Sequence, residues 1–182
     1  MKNLKYFVVA VVTILSVSCS SDDDNSGSSN ENNITVETLV YEMKTAIVEP
    51  TLNNSVFLSL TSSTEAEIEA SLNGTTLNNV GYFTARISYS DLTLGETYDL
   101  DAISSLEFIV DGDVINSEFE NGISQFYKSG SNPDLEVVAG NITITNYTED
   151  FIGLTLNFTR NDGVEISGTY EGHFINLSNG LD

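Results

Sequence analysis

The chain is poor in the residues that form disulfides and metal sites. It contains no tryptophan, one cysteine, one histidine and two prolines among 182 residues. A single cysteine excludes a disulfide within the chain, and one cysteine with one histidine is too few for a usual zinc site. The fold must therefore depend on an apolar core, which a single domain of roughly 150 residues is large enough to build.

Positive charge is scarce as well, with 6 lysine and arginine residues against 27 aspartate and glutamate residues. Nucleic-acid binding needs clustered cations, and a negative surface is repelled by anionic lipids. We therefore expect no nucleic-acid partner, and membrane attachment would have to be covalent. Beyond the first segment of the chain the cations are Lys44, Arg86, Lys128 and Arg160.

The first 18 residues have the layout of an export signal. A basic start with Lys2 and Lys5 precedes an apolar run from Tyr6 to Val17 and small residues before Cys19. A dozen apolar residues are too few to span a bilayer as a helix, and this three-part layout is typical of a cleaved signal peptide. We predict that residues 1–18 are removed.

The segment Leu15-Ser16-Val17-Ser18-Cys19 resembles a bacterial lipobox. The resemblance implies that the Cys19 thiol receives a diacylglycerol group, that the peptide bond before it is cut, and that the new amine receives a fatty acid such as palmitate. Two or more acyl chains hold a protein stably on a membrane. The alternative is that Cys19 is an ordinary small residue near a signal-peptidase site.

The residues after Cys19 read Ser-Ser-Asp-Asp-Asp-Asn and resemble the export signal of Bacteroidetes-type lipoproteins on the outer face of the outer membrane. The resemblance implies an outer-membrane protein exposed at the cell surface, with a periplasm-facing anchor as the alternative. Residues 19–33 also have the composition of a flexible tether. The predicted site residues are Cys19 for lipidation and Ser20, Ser21, Asp22, Asp23 and Asp24 for export, with no catalytic, metal-binding or cofactor-binding residue.

From residue 34 onward, short runs of β-branched and aromatic residues are separated by turn-forming residues. This pattern predicts one all-β domain over residues 34–182, an antiparallel β-sandwich. A turn is expected at Asp111-Gly112-Asp113. The expected strands are 38–48, 55–61, 82–89, 106–110, 114–119, 123–128, 154–159 and 164–171.

Two segments are ambiguous. Residues 35–48 fit both a helical stripe and a strand alternation, and the frequent β-branched residues favour the strand. Thr64 followed by Glu67 resembles a capped helix start, so residues 64–72 stay open between a short helix and a strand.

The last third of the chain allows the strand register to be predicted. A two-residue loop would place apolar residues opposite polar ones. A three-residue loop that ends at Gly163 pairs Phe158 with Ile166 and Leu154 with Tyr170, and glycine can adopt the left-handed conformation that this loop needs. We predict the three-residue loop.

Two irregularities are expected in the final strand. In the predicted register Gly168 faces Leu156, which indicates a twist, a bulge or a close backbone contact. The apolar phase changes between Phe174 and Ile175, which predicts a late bulge.

Residues 94–100 (Leu-Gly-Glu-Thr-Tyr-Asp-Leu), 140–146 (Gly-Asn-Ile-Thr-Ile-Thr-Asn) and 166–170 (Ile-Ser-Gly-Thr-Tyr) resemble a family of uncharacterised Bacteroidetes lipoproteins. The likeness spans roughly residues 80–178 and implies a β-sandwich. The chain departs from the family at residues 170–172, where the family alternates phenylalanine with polar residues. The family has no established activity, so the resemblance transfers no catalytic residue.

Candidate catalytic groups are few. His173 has no local nucleophile motif such as Gly-x-Ser-x-Gly near it, and we interpret it as a surface or edge-strand residue. Asp99 with Asp101, and Asp111 with Asp113, could serve a hydrolase or collect calcium. In a chain with 27 acidic residues, however, such spacings arise by chance.

The remaining candidates are aromatic residues. Sugar rings stack on exposed flat side chains, and in the absence of tryptophan the candidates are Tyr82, Tyr89, Tyr127 and Tyr147. The sequence favours a non-enzymatic binding lipoprotein or accessory subunit that contacts an outer-membrane protein. The alternative is an extracellular glycan-binding lipoprotein, and a carboxylate-dependent hydrolase is favoured less.

Overall fold

The computed structural model describes residues 32–115 and 118–176. These residues form one short helix, α1 (Glu65–Leu72), and strands that confirm the predicted all-β class. The helix has 8 residues, and no helix in the described ranges is long and apolar enough to cross a membrane. The strands are β1 (Asn33–Val36), β2 (Leu39–Glu42), β3 (Thr45–Thr51), β4 (Ser55–Thr61), β5 (Leu77–Ile87), β6 (Thr97–Asp99), β7 (Ile103–Ile115), β8 (Glu118–Glu120), β9 (Ile123–Tyr127), β10 (Val137–Tyr147), β11 (Phe151–Arg160) and β12 (Glu165–Asn176).

The strands form a sandwich of two sheets that share β12. One sheet has the order β6-β10-β11-β12-β1-β2, and the other has the order β12-β3-β4-β5-β7, with both β8 and β9 paired to β7. Among the described strands, all pairs are antiparallel except β12 with β3. An isolated bridge between Tyr127 and Glu136 also joins β9 to the residue before β10.

The core lies between the facing sheets. Phe126 of β9 is central to it, with ring centroids 5.5 Å from Phe108 of β7 and 6.3 Å from Phe158 of β11 in the opposite sheet. All three side chains are almost completely buried. Burial of such aromatic area is the main stabilising contribution in a domain of this size.

The predicted register of the last hairpin is confirmed. Phe158 pairs with Ile166 and Leu154 pairs with Tyr170. The three-residue loop closes where the Arg160 amide donates to the Val164 carbonyl at 2.9 Å, and Gly163 has a φ of 86°. The alternation of apolar residues therefore determines which face of each strand enters the core.

Gly168 does face Leu156, and the expected close contact is a backbone contact. A Cβ atom at position 168 would lie 2.8 Å from the Asn33 carbonyl oxygen of the neighbouring strand β1. Glycine thus lets β1 approach β12.

The phase change near Phe174 has a different cause from the predicted bulge. Pairing with β11 continues without a register shift as far as His173, and from Phe174 onward β12 pairs with β3 in parallel. The strand leaves one sheet and enters the other, so its buried face changes.

The prediction of a strand rather than a helix over residues 35–48 is confirmed, but the predicted single strand 38–48 divides into β2 and β3 at Met43 and Lys44.

The short helix is present, and its capping box is complete. The Glu67 amide donates to Thr64 Oγ1 at 3.3 Å, and the Thr64 amide donates to Glu67 Oε2 at 2.7 Å. Such a box satisfies two amides that the first helical turn leaves without partners.

The predicted turn at Asp111-Gly112-Asp113 is wrong, because β7 continues through these residues. Asp111 takes a φ of 52°, and the pairing with β5 shifts register nearby. A bulge within one long strand absorbs the turn-forming residues that the sequence pattern assigned to a loop.

Candidate functional site

The predicted lipidation and export residues, Cys19, Ser20, Ser21, Asp22, Asp23 and Asp24, lie outside the described residues. The other sequence candidates fall within them. His173 is exposed, and its Nδ1 atom lies 3.2 Å from Asp150 Oδ2, which is exposed too. Its ring meets Phe151 edge to face at 5.6 Å. The histidine thus lies at the surface of the last strand, as predicted.

The acidic pairs do not gather into a metal site. Asp99 ends β6 and Asp101 follows it in a short turn of 3₁₀ helix, while Asp113 lies opposite Glu120 in the β7–β8 pair. Across residues 32–115 and 118–176, no three histidine, cysteine or acidic side chains are grouped so that they could hold a metal ion.

Two of the four candidate sugar-stacking rings are inside the protein. Tyr82 is buried and donates to Ser59 Oγ at 3.0 Å, and this burial raises the pKa of its hydroxyl. Tyr127 is buried and donates to the Asn132 carbonyl at 2.8 Å. Neither face is accessible to a sugar ring.

Tyr89 and Tyr147 are the more accessible rings. Tyr89 is 50% exposed and lies 5.2 Å from Tyr98 at an angle of 60°. Tyr147 stacks on Phe174 at 5.8 Å and donates to Asp91 Oδ1 at 3.5 Å. Burial, followed by the negative charge of Asp91 and this hydrogen bond, raises the pKa of Tyr147 to about 12. The Tyr147 ring is therefore held in place by Phe174 and Asp91.

Three of the four cations of the domain are held by the fold itself. Lys128 Nζ donates to the carbonyls of Leu100 and Ile103. Arg160 donates to the Gln125 carbonyl and forms an ion pair with Asp162, which lowers the pKa of that carboxyl.

The third of these cations is Arg86. It donates from Nε to Ser55 Oγ at 2.9 Å and lies over the Phe57 ring at 5.4 Å. The fourth, Lys44, is more open, with Nζ 3.9 Å from Glu42 Oε2. The described surface is consequently dominated by carboxylates.

The geometry singles out a feature that the sequence analysis missed, the edge strand β2. Among the strands in residues 32–115 and 118–176, it pairs with β1 alone. Leu39 and Val40 are 58% and 61% exposed, so apolar side chains lie at a sheet edge, where exposed apolar residues are a liability. Tyr41, between Val40 and Glu42, packs its ring against Phe108 at 5.3 Å, and burial, with the charge of Asp111, raises its pKa. Tyr41 thus anchors β2 on the core while the outer edge of the strand is open.

A groove of about 430 Å³ begins at Lys44, which lies between β2 and β3. Its walls also include Ser62, Glu67 and residues 76–80 around the start of β5. By contrast, the cavity beneath α1 has only about 10 Å³, which is space for about one water molecule. We therefore take β2 and this groove together as the candidate binding site.

The sequence analysis missed this edge because the turn before β2 lacks the usual turn-forming residues. Glu37 and Thr38 form a two-residue turn with neither glycine nor asparagine, and Glu37 takes a φ of 60°, so the turn resembled part of a continuous strand.

Comparisons with protein-family models, with curated proteins and with solved structures find no match for this chain. The proposals below therefore rest on the residues of the chain itself.

Proposed function

We propose that the protein is a lipoprotein anchored through Cys19 in the outer membrane, exposed at the cell surface, where it acts as a non-enzymatic binding or accessory subunit of an outer-membrane protein complex. The anchor rests on the lipobox-like segment before Cys19 and on the acidic residues Asp22, Asp23 and Asp24 after it. The tether of residues 19–33 would have a root-mean-square reach of roughly 20 Å. This reach would let the domain contact a neighbouring membrane protein.

The observation that carries the binding role is the exposure of apolar side chains on the edge strand β2. Leu39 and Val40 leave apolar surface in water beside a strand edge that no other strand of the described part of the chain covers. Such surface favours contact with another protein. Glycan binding is the rival, but two of its four candidate rings, Tyr82 and Tyr127, are buried.

The proposed location is tested by fractionation and external protease. Replacing Cys19 by Ala should move the protein from the membrane fraction to the soluble fraction. Replacing Asp22, Asp23 and Asp24 together by Asn should keep it in the membrane but protect it from protease added to intact cells. A matched control replaces three exposed acids of the domain, Glu65, Glu69 and Glu149, by Gln. Protection of the unaltered protein in intact cells would contradict surface exposure.

The proposed binding role is tested by cross-linking in intact cells. A photoreactive residue at position 40 should give a discrete adduct with an outer-membrane protein, while one at Asp134, an exposed acid in a turn before β10, should not. Saturable polysaccharide binding that is lost in Tyr89→Ala, together with no protein adduct at position 40, would favour the glycan-binding rival.

A further inference from the structure

The backbone of β2 has hydrogen-bonding groups that point away from β1. The Met43 amide donates to the Asn32 carbonyl at 2.8 Å, on the β1 side. Because successive amides of a strand point to alternate sides, the amides of Val40 and Glu42 point away from β1. In the described ranges β2 has no strand on that side.

The pairing of β12 shows where the open side of β2 lies. β2 is the second strand from β12, across β1, and β4 is the second strand from β12, across β3. β4 ends at Thr61, and the groove next to Lys44 lies at this end of β4. In the described ranges β2 has no strand on the side away from β1, so one strand position beside it is vacant.

The charge around the vacant position determines which occupant fits. Glu42 is on β2, Glu37 is at its hairpin turn, Glu67 lines the groove, and the charge of Asp111 acts on Tyr41. The one cation of the groove, Lys44, lies 3.9 Å from Glu42 and also lowers the pKa of Glu67, although less than the Thr64 hydrogen bonds do. The position is thus negative overall.

A second copy of the chain would bring its own acidic β2 edge to this position. Like charges directly opposite each other in a sheet are destabilising, and each copy has a formal net charge of -21. A segment with lysine or arginine side chains is instead complementary to this edge. Main-chain pairing would supply affinity, and the exposed Val40 and Leu39 would supply apolar contact.

We propose that β2 is the docking edge for an extended, positively charged segment of a partner protein, which adds as a strand on the side of β2 that faces away from β1. This inference rests on the proposed role of the chain as a binding subunit. The Val40 and Glu42 amides and carbonyls form the new ladder, and Glu42 pairs with a cationic side chain of the added strand.

The test uses a synthetic ten-residue peptide that alternates lysine with valine, and a control peptide in which glutamate replaces lysine. In Val40→Pro the outward amide is lost, whereas the amides that bond to β1 are kept, and proline is tolerated at such edge positions. Val40→Thr is the matched control because it keeps the amide. We expect the lysine peptide to bind about tenfold more weakly to Val40→Pro than to Val40→Thr, since the loss of one or two hydrogen bonds has about that effect.

Hydrogen exchange provides a second readout that plain charge attraction would not affect. The lysine peptide should slow exchange at the Val40 and Glu42 amides and leave exposed amides elsewhere unchanged. Should Val40→Pro fail to fold, Glu42→Lys with Glu37→Lys replaces it, and this variant should lose the lysine peptide and gain the glutamate peptide.

Three results would overturn the inference. These are equal binding of the lysine peptide to Val40→Pro and Val40→Thr, equal binding of the two peptides to the unaltered protein, and a concentration-dependent dimer that Val40→Pro abolishes. The last result would identify a second copy as the occupant. A position-40 adduct to an outer-membrane protein that persists when Glu37→Lys and Glu42→Lys are also present would overturn the docking edge and leave the proposed function standing. The absence of any such adduct in the protein without these two substitutions would instead contradict the proposed function itself.

Discussion

The hairpin β11–β12 and the pair β5–β7 show two ways in which this chain builds a ladder. Nine residue pairs join β11 to β12 without a register shift. The β5–β7 pair shifts register three times, and both of its strands contain a residue other than glycine with positive φ, Asn79 at 58° and Asp111 at 52°. The regular ladder follows directly from alternation of apolar residues, whereas the irregular one depends on local backbone conformation.

The difference between the two ladders also affects the candidate binding site. The regular ladder supplies Leu154, Phe158 and Ile166 to the core, all nearly fully buried. The irregular end of β5, around Leu77 and Val80, lines the groove next to Lys44. Bulged strands commonly occur at sheet edges and next to binding sites, because they change where side chains point. Both ladders supply the core, since Phe83 and Phe108 are also fully buried, but the irregular end of β5 shapes the surface as well.

Removal of one aromatic ring from each half tests this difference most strongly. Phe158→Ala should lower the free energy of unfolding by about 3–5 kcal/mol, because it leaves a cavity in the packed core. Phe119→Ala, in β8 beside the irregular ladder, should cost roughly 1–2 kcal/mol, because that ring is only partly buried and contacts Tyr82 at 5.9 Å. Chemical denaturation measures both changes. Equal losses would show that the irregular half is as tightly packed as the regular half.

The same comparison can be made with a single methyl group. Gly168→Ala should destabilise the protein by about 1–3 kcal/mol, since its Cβ would press on the Asn33 carbonyl and the backbone of β1 would have to move. Gly81→Ala in β5 should change stability by about 0.5 kcal/mol or less, because its Cβ would meet Met43 and Ser62 at ordinary contact distances of 3.5 and 3.6 Å.

Thermal or chemical unfolding of the two alanine variants provides the measurement, with the unaltered chain as reference. A larger loss for Gly81→Ala than for Gly168→Ala would reverse the expected order. That result would mean that the site of Gly81 in β5 has less space for a methyl group than the site of Gly168 between β12 and β1.

These two ladders also explain how far the sequence could predict the fold. Alternation determined the pairing of Phe158 with Ile166, because a shift of one residue would have moved every apolar side chain out of the core. Nothing local to Asp111-Gly112-Asp113 distinguishes a turn from a bulge within a long strand. The difference is made by the β5 strand, far away in the chain, to which β7 pairs on both sides of Asp111.

The candidate site was less predictable than the core for a related reason. The break between β2 and β3 at Met43 and Lys44 arises because β1 lies between β2 and β12 while β3 pairs with β12 directly. This offset is a property of the assembled sheets. The exposure of Leu39 and Val40 follows from it, so a strand that the sequence shows as continuous becomes an open edge.

The smallest expected effect concerns the contact that joins the loop after β5 to the regular half. Tyr147 of β10 donates its hydroxyl to Asp91 of that loop, and burial together with Asp91 raises the pKa of Tyr147 to about 12. Since an unfolded tyrosine ionises near pH 10, the unfolded state loses this proton first as the pH rises. The stability that the protonated hydroxyl contributes is therefore complete below about pH 10 and is lost as the pH rises toward about 12.

Tyr147→Phe removes the titrating hydroxyl, so the stability of this variant should fall less steeply between about pH 10 and 12 than that of the unaltered protein. Asp91→Asn should lower the pKa of Tyr147, because it removes a negative charge that favours the protonated form. Denaturation at several pH values and the tyrosinate absorbance measure the two effects. Tyr41, Tyr82 and Tyr170 also have raised pKa values, so the difference between variant and unaltered protein is the informative quantity. Identical slopes would mean that the Tyr147–Asp91 contact opens before the hydroxyl ionises, and that the loop is held to the regular half by the stacking of Tyr147 on Phe174 and not by this hydrogen bond.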